Sequence, residues 1–289
     1  MTVTGFWRIV AVVLLALASA PGAYAQATAP DYARVDVDAD NRPRALQMSV
    51  LSYVPADADR LLEVDLISAV HIGDPSYYDE LNRRFQDYDA VLFELIAPQG
   101  ALGPNRMDKR GGILSNTQVG IMKLLDLSFQ LDEINYDAAN LVHADLSPSE
   151  MRASMEARGE SLYVYFWRIF FASMNEYAKD PLGLKDLEIL SSAISSGQDN
   201  SFKVMAAYEV ANVKLARDML GNDSDNAVIG ARNQRAIDVL GKEIEGGAKR
   251  IGIFYGVAHM PDLEERLLDQ IGLLYDSTVW IDAWQLGLQ

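Results

Sequence analysis

Two apolar runs, far apart in the chain, end the same way. Leu66-Ile67-Ser68-Ala69-Val70-His71 and Ile253-Phe254-Tyr255-Gly256-Val257-Ala258-His259 each close on a histidine. Each carries a small residue three positions before it, Ser68 or Gly256. Each then meets a helix start: Asp74-Pro75 supplies an N-cap with proline at the first helical position, and Pro261 follows His259. Strands that feed helices and return as strands pair in parallel. Their carboxyl ends then share one edge of the sheet, where α/β proteins build sites.

The remaining pattern fits that frame. Residues 47–54 and 62–70 read as a hairpin that delivers His71 at its end. Residues 75–86 read as a helix, and Ala90-Val91-Leu92-Phe93-Glu94-Leu95-Ile96 reads as a buried strand. Further on, 228–245 is an amphipathic helix closed by Gly246-Gly247. A strand over 250–255, a helix over 261–270 and a strand over 277–282 complete the chain. Between the halves lies a Gly/Pro-rich loop over 98–112 with Arg106, Lys109 and Arg110. Helical stretches follow at 113–131, 147–158, 161–178, 182–196 and 201–220. Ser147-Pro148-Ser149-Glu150 carries a capping-box pattern. The aromatic run at 163–171 reads as a buried core helix. The expected fold is α/β: a central, mostly parallel sheet with flanking helices and a large helical insertion covering the sheet's carboxyl edge.

The first 25 residues read as a secretory signal. Arg8 is the positive element, 9–20 the apolar core, and Ala23-Tyr24-Ala25 the small-x-small cleavage site. The expected organisation is a signal over 1–25, an irregular lead-in over 26–44 and one domain over 45–289, with the helical insertion at about 113–222. The apolar run is short for a membrane span, so no stable span is expected after cleavage. Loss of Arg8 takes the formal net charge from −16 to −17, which argues against nucleic acid and anionic membrane partners. The chain has no cysteine, which excludes thiol catalysis, Cys-type zinc sites and iron–sulfur clusters. A chain this long buries enough apolar surface without disulfides, so a bacterial periplasmic or secreted location is expected.

Three further residues or pairs carry chemistry. Glu94 is a carboxylate in an apolar strand; burying it requires compensation, which a metal or an arginine would provide. Arg232-Asn233 lies near a helix start, where the guanidinium would stabilise an oxyanion or clamp a carboxylate if the helix faces the histidines. His143, two residues before Asp145, is either a packed loop histidine or a contribution of the helical region to the site.

Taken in order, four stretches resemble the TraB/PrgY/Tiki (GumN-like) superfamily, related more distantly to ChaN-like and erythromycin-esterase-like proteins. They are Ser68-Ala69-Val70-His71, Phe93-Glu94-Leu95, Ala231-Arg232-Asn233 and Gly256-Val257-Ala258-His259. They match the family's G-x-x-H, strand glutamate, E-R-N/D and second G-x-x-H motifs over roughly residues 60–275. Ser68 replaces a glycine, and Ala231 replaces a glutamate.

The resemblance implies a metal-dependent, Tiki-like peptidase using Mn or Co, with Zn or Fe as other ions for the same donors. His71, His259 and Glu94 would hold the ion. Arg232 would stabilise developing negative charge, Asn233 would orient substrate or cap its helix, and Glu94 is alternatively the general base. Ser68 and Gly256 permit close backbone approach and, with His143, are the candidate substrate contacts. The expected function is a secreted hydrolase acting on a peptide or small-molecule substrate. If the missing glutamate binds metal or shuttles protons in the family, Ala231 shifts weight to a periplasmic peptide- or small-ligand-binding protein. Haem or metal handling is the third class.

Overall fold

A computed structural model describes residues 31–57, 61–97, 127–160, 201–214 and 226–287. Its centre is a four-stranded parallel sheet. The strands are β3 (Glu63–Ala69), β8 (Arg250–Gly256), β5 (Ala90–Phe93) and β7 (Leu141–His143), side by side in that order. β3 pairs with β8 from Glu63↔Arg250 to Ala69↔Gly256, and β8 pairs with β5 up to Phe254↔Phe93. β7 joins β5 with His143 opposite Phe93.

An antiparallel flank extends the sheet beyond β3. The long β2 (Pro43–Pro55) pairs with β9 (Leu273–Gln285) along one edge. On its other edge it pairs first with β1 (Ala33–Val37) and then with β3. The β2–β3 hairpin is present as the alternation suggests. β1, however, lies inside the stretch expected to be irregular. Its pattern is only half apolar, and its partner lies beyond a short turn that contains Asn41 at φ 60°. A two-stranded ladder of β4 (Ile72–Gly73) and β6 (Ser128–Phe129) sits beside the main sheet.

Helices cover both faces, so the parallel strands read as continuous apolar runs. On one face α1 (Pro75–Phe85) lays Tyr77, Tyr78, Leu81 and Phe85 over Ile67, Val91, Phe93 and Phe254. On the other, α5 (Gly230–Glu245) and α6 (Met260–Arg266) lay Ala236, Ile237, Leu240 and Leu263, with Leu267 just past α6, over Val64, Leu66, Leu92, Ile251 and Ile253. Neighbours such as Leu66 and Ile67 thus serve opposite cores, as a two-residue period requires. Gly252 lets β8 pack close, since a Cβ there would stand 2.8 Å from Ile67 Cδ1 and the side chain would have to shift.

Local signals act in different ways. Ser147 and Glu150 form the expected capping box on α3 (Pro148–Ala157), with Glu150 N donating to Ser147 Oγ at 3.2 Å and Ser147 N to Glu150 Oε2 at 2.8 Å. Asp74 stands at the N-cap of α1 but does not cap it. Its carboxylate instead accepts from Lys203 of α4 (Ser201–Ala211) at 3.0 Å and from the Gln285 backbone at 2.5 Å.

Much of the expected helical region lies outside the described residues, including 161–178, 182–196 and the aromatic run at 163–171. Within the described part, the end of the expected 113–131 helix is β6 followed by the one-turn helix α2 (Gln130–Glu133). The short β7 also falls in this region, as a fourth parallel strand. Among the described residues no helix is long and apolar enough to cross a membrane.

Candidate functional site

Each of the four parallel strands delivers a polar side chain just past its carboxyl end. β3 delivers His71, β5 Glu94, β7 Asp145, and β8 delivers His259 from the 3₁₀ turn Val257–His259. Helix α5 begins opposite them and adds Arg232 and Asn233 from its first turn. All of this belongs to one sheet edge, where backbone pairing stops and side chains are free to converge.

Gly256 marks the point of convergence. A Cβ built there would stand 3.2 Å from Glu94 Oε2, 3.9 Å from His71 Nε2 and 3.9 Å from His259 Cδ2. Its backbone N–H donates to Glu94 Oε2 at 2.7 Å. The missing side chain therefore makes room for the carboxylate, and Gly256 acts through its backbone.

Glu94 is compensated by arginine. Arg232 Nη2 donates to Glu94 Oε1 at 2.6 Å, and the carboxylate side chain is 12% exposed. The same guanidinium grips Asp145 with two parallel bonds, Nε to Oδ1 at 2.9 Å and Nη2 to Oδ2 at 2.6 Å. This is the fork geometry that makes Arg–carboxylate pairs strong. Arg232 and Asp145 are 7% and 1% exposed, so the pair lies in low dielectric. Burial pushes the Glu94 carboxyl up, but the Arg232 guanidinium beside it outweighs burial and holds the group well below the usual carboxylate range. Burial likewise pulls the Arg232 guanidinium down, and Glu94 and Asp145 more than reverse that.

Both histidines are oriented by carboxamides. Asn233 Nδ2 donates to His259 O at 3.2 Å and to Asp262 Oδ2 at 2.7 Å, so its Oδ1 must face the ring. Oδ1 lies 2.6 Å from His259 Nδ1, which places the proton there and leaves Nε2 an acceptor. That Nε2 lies 3.4 Å from Arg232 Nη1 and 3.5 Å from Glu94 Oε1. Gln130 does the same for His71. Its Nε2 donates to Tyr136 at 2.8 Å, and its Oε1 stands 3.3 Å from His71 Nδ1. His71 Nε2 is then the acceptor, and it faces Gly256. His71 is exposed, whereas His259 is 4% exposed and packs edge-on to Tyr255.

Two of the sequence candidates sit apart from this cluster in the contacts they make. Ser68 is buried within the sheet, where its hydroxyl meets Ser49 Oγ at 3.0 Å and its carbonyl accepts from Tyr77. His143 Nε2 donates to Leu95 O at 2.6 Å, and its ring packs on Phe93. Asp145, Gln130, Tyr136 and Asp262 belong to the cluster but were not singled out by motif. Asp145 had one available signal, its place two residues after His143 at the end of the short run Leu141-Val142-His143-Ala144. Gln130 had none, because it reaches His71 only through the β4–β6 ladder.

The ion implied by the resemblance can be tested against these donors. Among the described residues, no three His, Asp or Glu side chains stand together as a metal shell. Glu94 Oε1 and His259 Nε2, two of the three implied ligands, are both turned to Arg232. A divalent ion between them would meet the guanidinium, so the donors as arranged do not fit one. What they form is a buried Asp–Arg–Glu ion group flanked by two imidazole acceptors, one buried and one open to solvent. No protein-family model, curated protein or solved structure matches the chain.

Proposed function

We propose that the protein is a hydrolase that cleaves a peptide or related small acyl substrate at the carboxyl edge of its sheet. The observation that carries this reading is the convergence of His71 Nε2, the Glu94 carboxylate and the His259 ring within 4 Å of one point at Gly256. An exposed imidazole acceptor beside an ionised carboxylate and a fixed guanidinium is an acid/base and charge-stabilising centre in one place.

In this reading His71 Nε2 takes a proton from water as the oxygen attacks the scissile carbonyl carbon. The carbonyl oxygen becomes negative and draws on the Nη1 side of Arg232. When the C–N bond breaks, His71 returns the proton to the leaving nitrogen, giving a carboxylic acid and an amine. His259 does not move a proton here. Locked by Asn233 and accepting from Arg232, it keeps the guanidinium in place. The peptide preference comes from the resemblance to Tiki-like proteins, and the acid/base assignment comes from the side chains.

The test is turnover of a fluorogenic peptide library by the purified protein and by His71→Ala. Loss of a general base costs about 10²–10⁴ in rate, and the variant should fall by that factor while keeping its fold. Turnover that survives His71→Ala unchanged, or none by the parent on any peptide, ends this assignment.

A further inference from the structure

The unusual feature of the site is where its positive charge comes from. Two of the three donors that the motif order assigns to a metal, Glu94 and His259, already face a cation, and it belongs to the chain. Arg232 Nη2 is shared between Glu94 Oε1 and Asp145 Oδ2 at 2.6 Å each, and Nη1 faces His259 Nε2 at 3.4 Å. We infer that Arg232, clamped by Asp145, is the resident cation of this site, and that the site works without a divalent metal.

Three physical points support this. The clamp is bidentate and buried, so moving the guanidinium aside would leave Asp145 uncompensated at 1% exposure, a strongly unfavourable state. Asp145 Oδ1 also accepts from the Leu146 backbone at 2.7 Å, which fixes the carboxylate to the end of β7 and leaves it no freedom to follow a moving arginine. Arginine does not lose its proton in proteins, so the charge cannot be removed to admit another ion. A divalent ion bound by Glu94 and His259 would therefore have to sit beside a fixed positive charge in low dielectric.

The amide locks on the histidines are consistent with either cation, since imidazoles aimed by a second partner serve both metals and hydrogen-bond donors. What separates the two cases is that Glu94 Oε1 and His259 Nε2 both meet at Arg232. Asp145 is thereby a positioning residue, acting on the site through Arg232. This inference rests on the hydrolase reading only for what the cation would stabilise; the identity of the cation is a separate matter.

The test is Co²⁺ titration of the purified protein followed by visible absorbance, with Mn²⁺ and Zn²⁺ followed by calorimetry. The parent protein should show no ligand-field absorbance and no stoichiometric binding, and its melting temperature should not change with chelator. Silence in the parent supports the assignment whether or not any variant folds. Arg232→Met, which frees Glu94, Asp145 and His259 together, should gain Co²⁺ absorbance, and Arg232→Lys, which keeps the charge, should not. Stoichiometric binding by the parent that both His71→Ala and His259→Ala abolish overturns it. Turnover is scored apart: a metal-silent protein that cleaves nothing ends the hydrolase reading and leaves the cation assignment standing. Metal that is lost in both histidine variants ends the assignment whatever the activity.

Discussion

The two histidine-terminated strands lie side by side, with Ala69 opposite Gly256, yet their ends are built differently. The β8 end is buried and tightly held. His259 meets Asn233 at 2.6 Å, and Asn233 is fixed in turn by Asp262, which Arg266 grips at 2.7 Å. The β3 end is open and loosely held, with His71 exposed and Gln130 at 3.3 Å. Similar sequence settings thus give one rigid imidazole and one accessible imidazole.

The sharpest way to break this contrast is to attack the charge behind His259. Asp145→Ala leaves a buried guanidinium short of its strongest partner and should cost about 3–5 kcal/mol in urea unfolding. A loss below about 1 kcal/mol, the range of exposed pairs, would mean that the buried end is not rigid.

The amide locks give a closer comparison. Asn233→Ala removes a partner from the His259 ring and from Asp262, both buried, and should cost about 1–3 kcal/mol. Gln130→Ala removes a long contact to the exposed His71 ring and one donation to the Tyr136 hydroxyl, and should cost about 0.5–1.5 kcal/mol, the usual worth of one net hydrogen bond, since the 3.3 Å contact adds little. Equal losses would erase the distinction between the two ends.

The smallest effect is read against pH. Glu94 is held below its ordinary range in the folded state, so its ionisation stabilises the fold above the unfolded carboxyl pKa. That contribution is lost as pH falls below about 4.3 and on through the lower folded value. Melting temperature should therefore fall more steeply in acid for the parent than for Glu94→Gln. Parallel curves would show that Glu94 is not coupled to Arg232 and His259.

The sequence made the paired strand ends and the helix starts at Pro75 and Pro148 readable, because apolar period and proline placement act locally. The compensation of Glu94 was readable only as a need, with metal and arginine both open, since sequence distance does not say which cation arrives. β7 was hidden by its length: three residues, Leu141–His143, are too few for a period to show. With it went the place of Asp145, the strongest partner of Arg232. β1 was hidden for another reason, in that its residues alternate only weakly and gain their partner from β2. Asp74 shows the limit of a local rule: it has the right type and position for a cap, and tertiary partners take its carboxylate instead.

The order β3-β8-β5 has a consequence for how the molecule comes into being. β8 begins at Arg250, long after β3 and β5 have left the ribosome, yet it lies between them. β9, later still, supplies the partner along the full edge of β2. The hairpins of β1, β2 and β3 can form early, but the two halves of the sheet cannot join before β8, and both pairings of β8 span long loops, which makes folding slow and non-local. The cluster at the sheet edge therefore has no partial form: until β8 is available, His71 and Glu94 end two strands that are not neighbours.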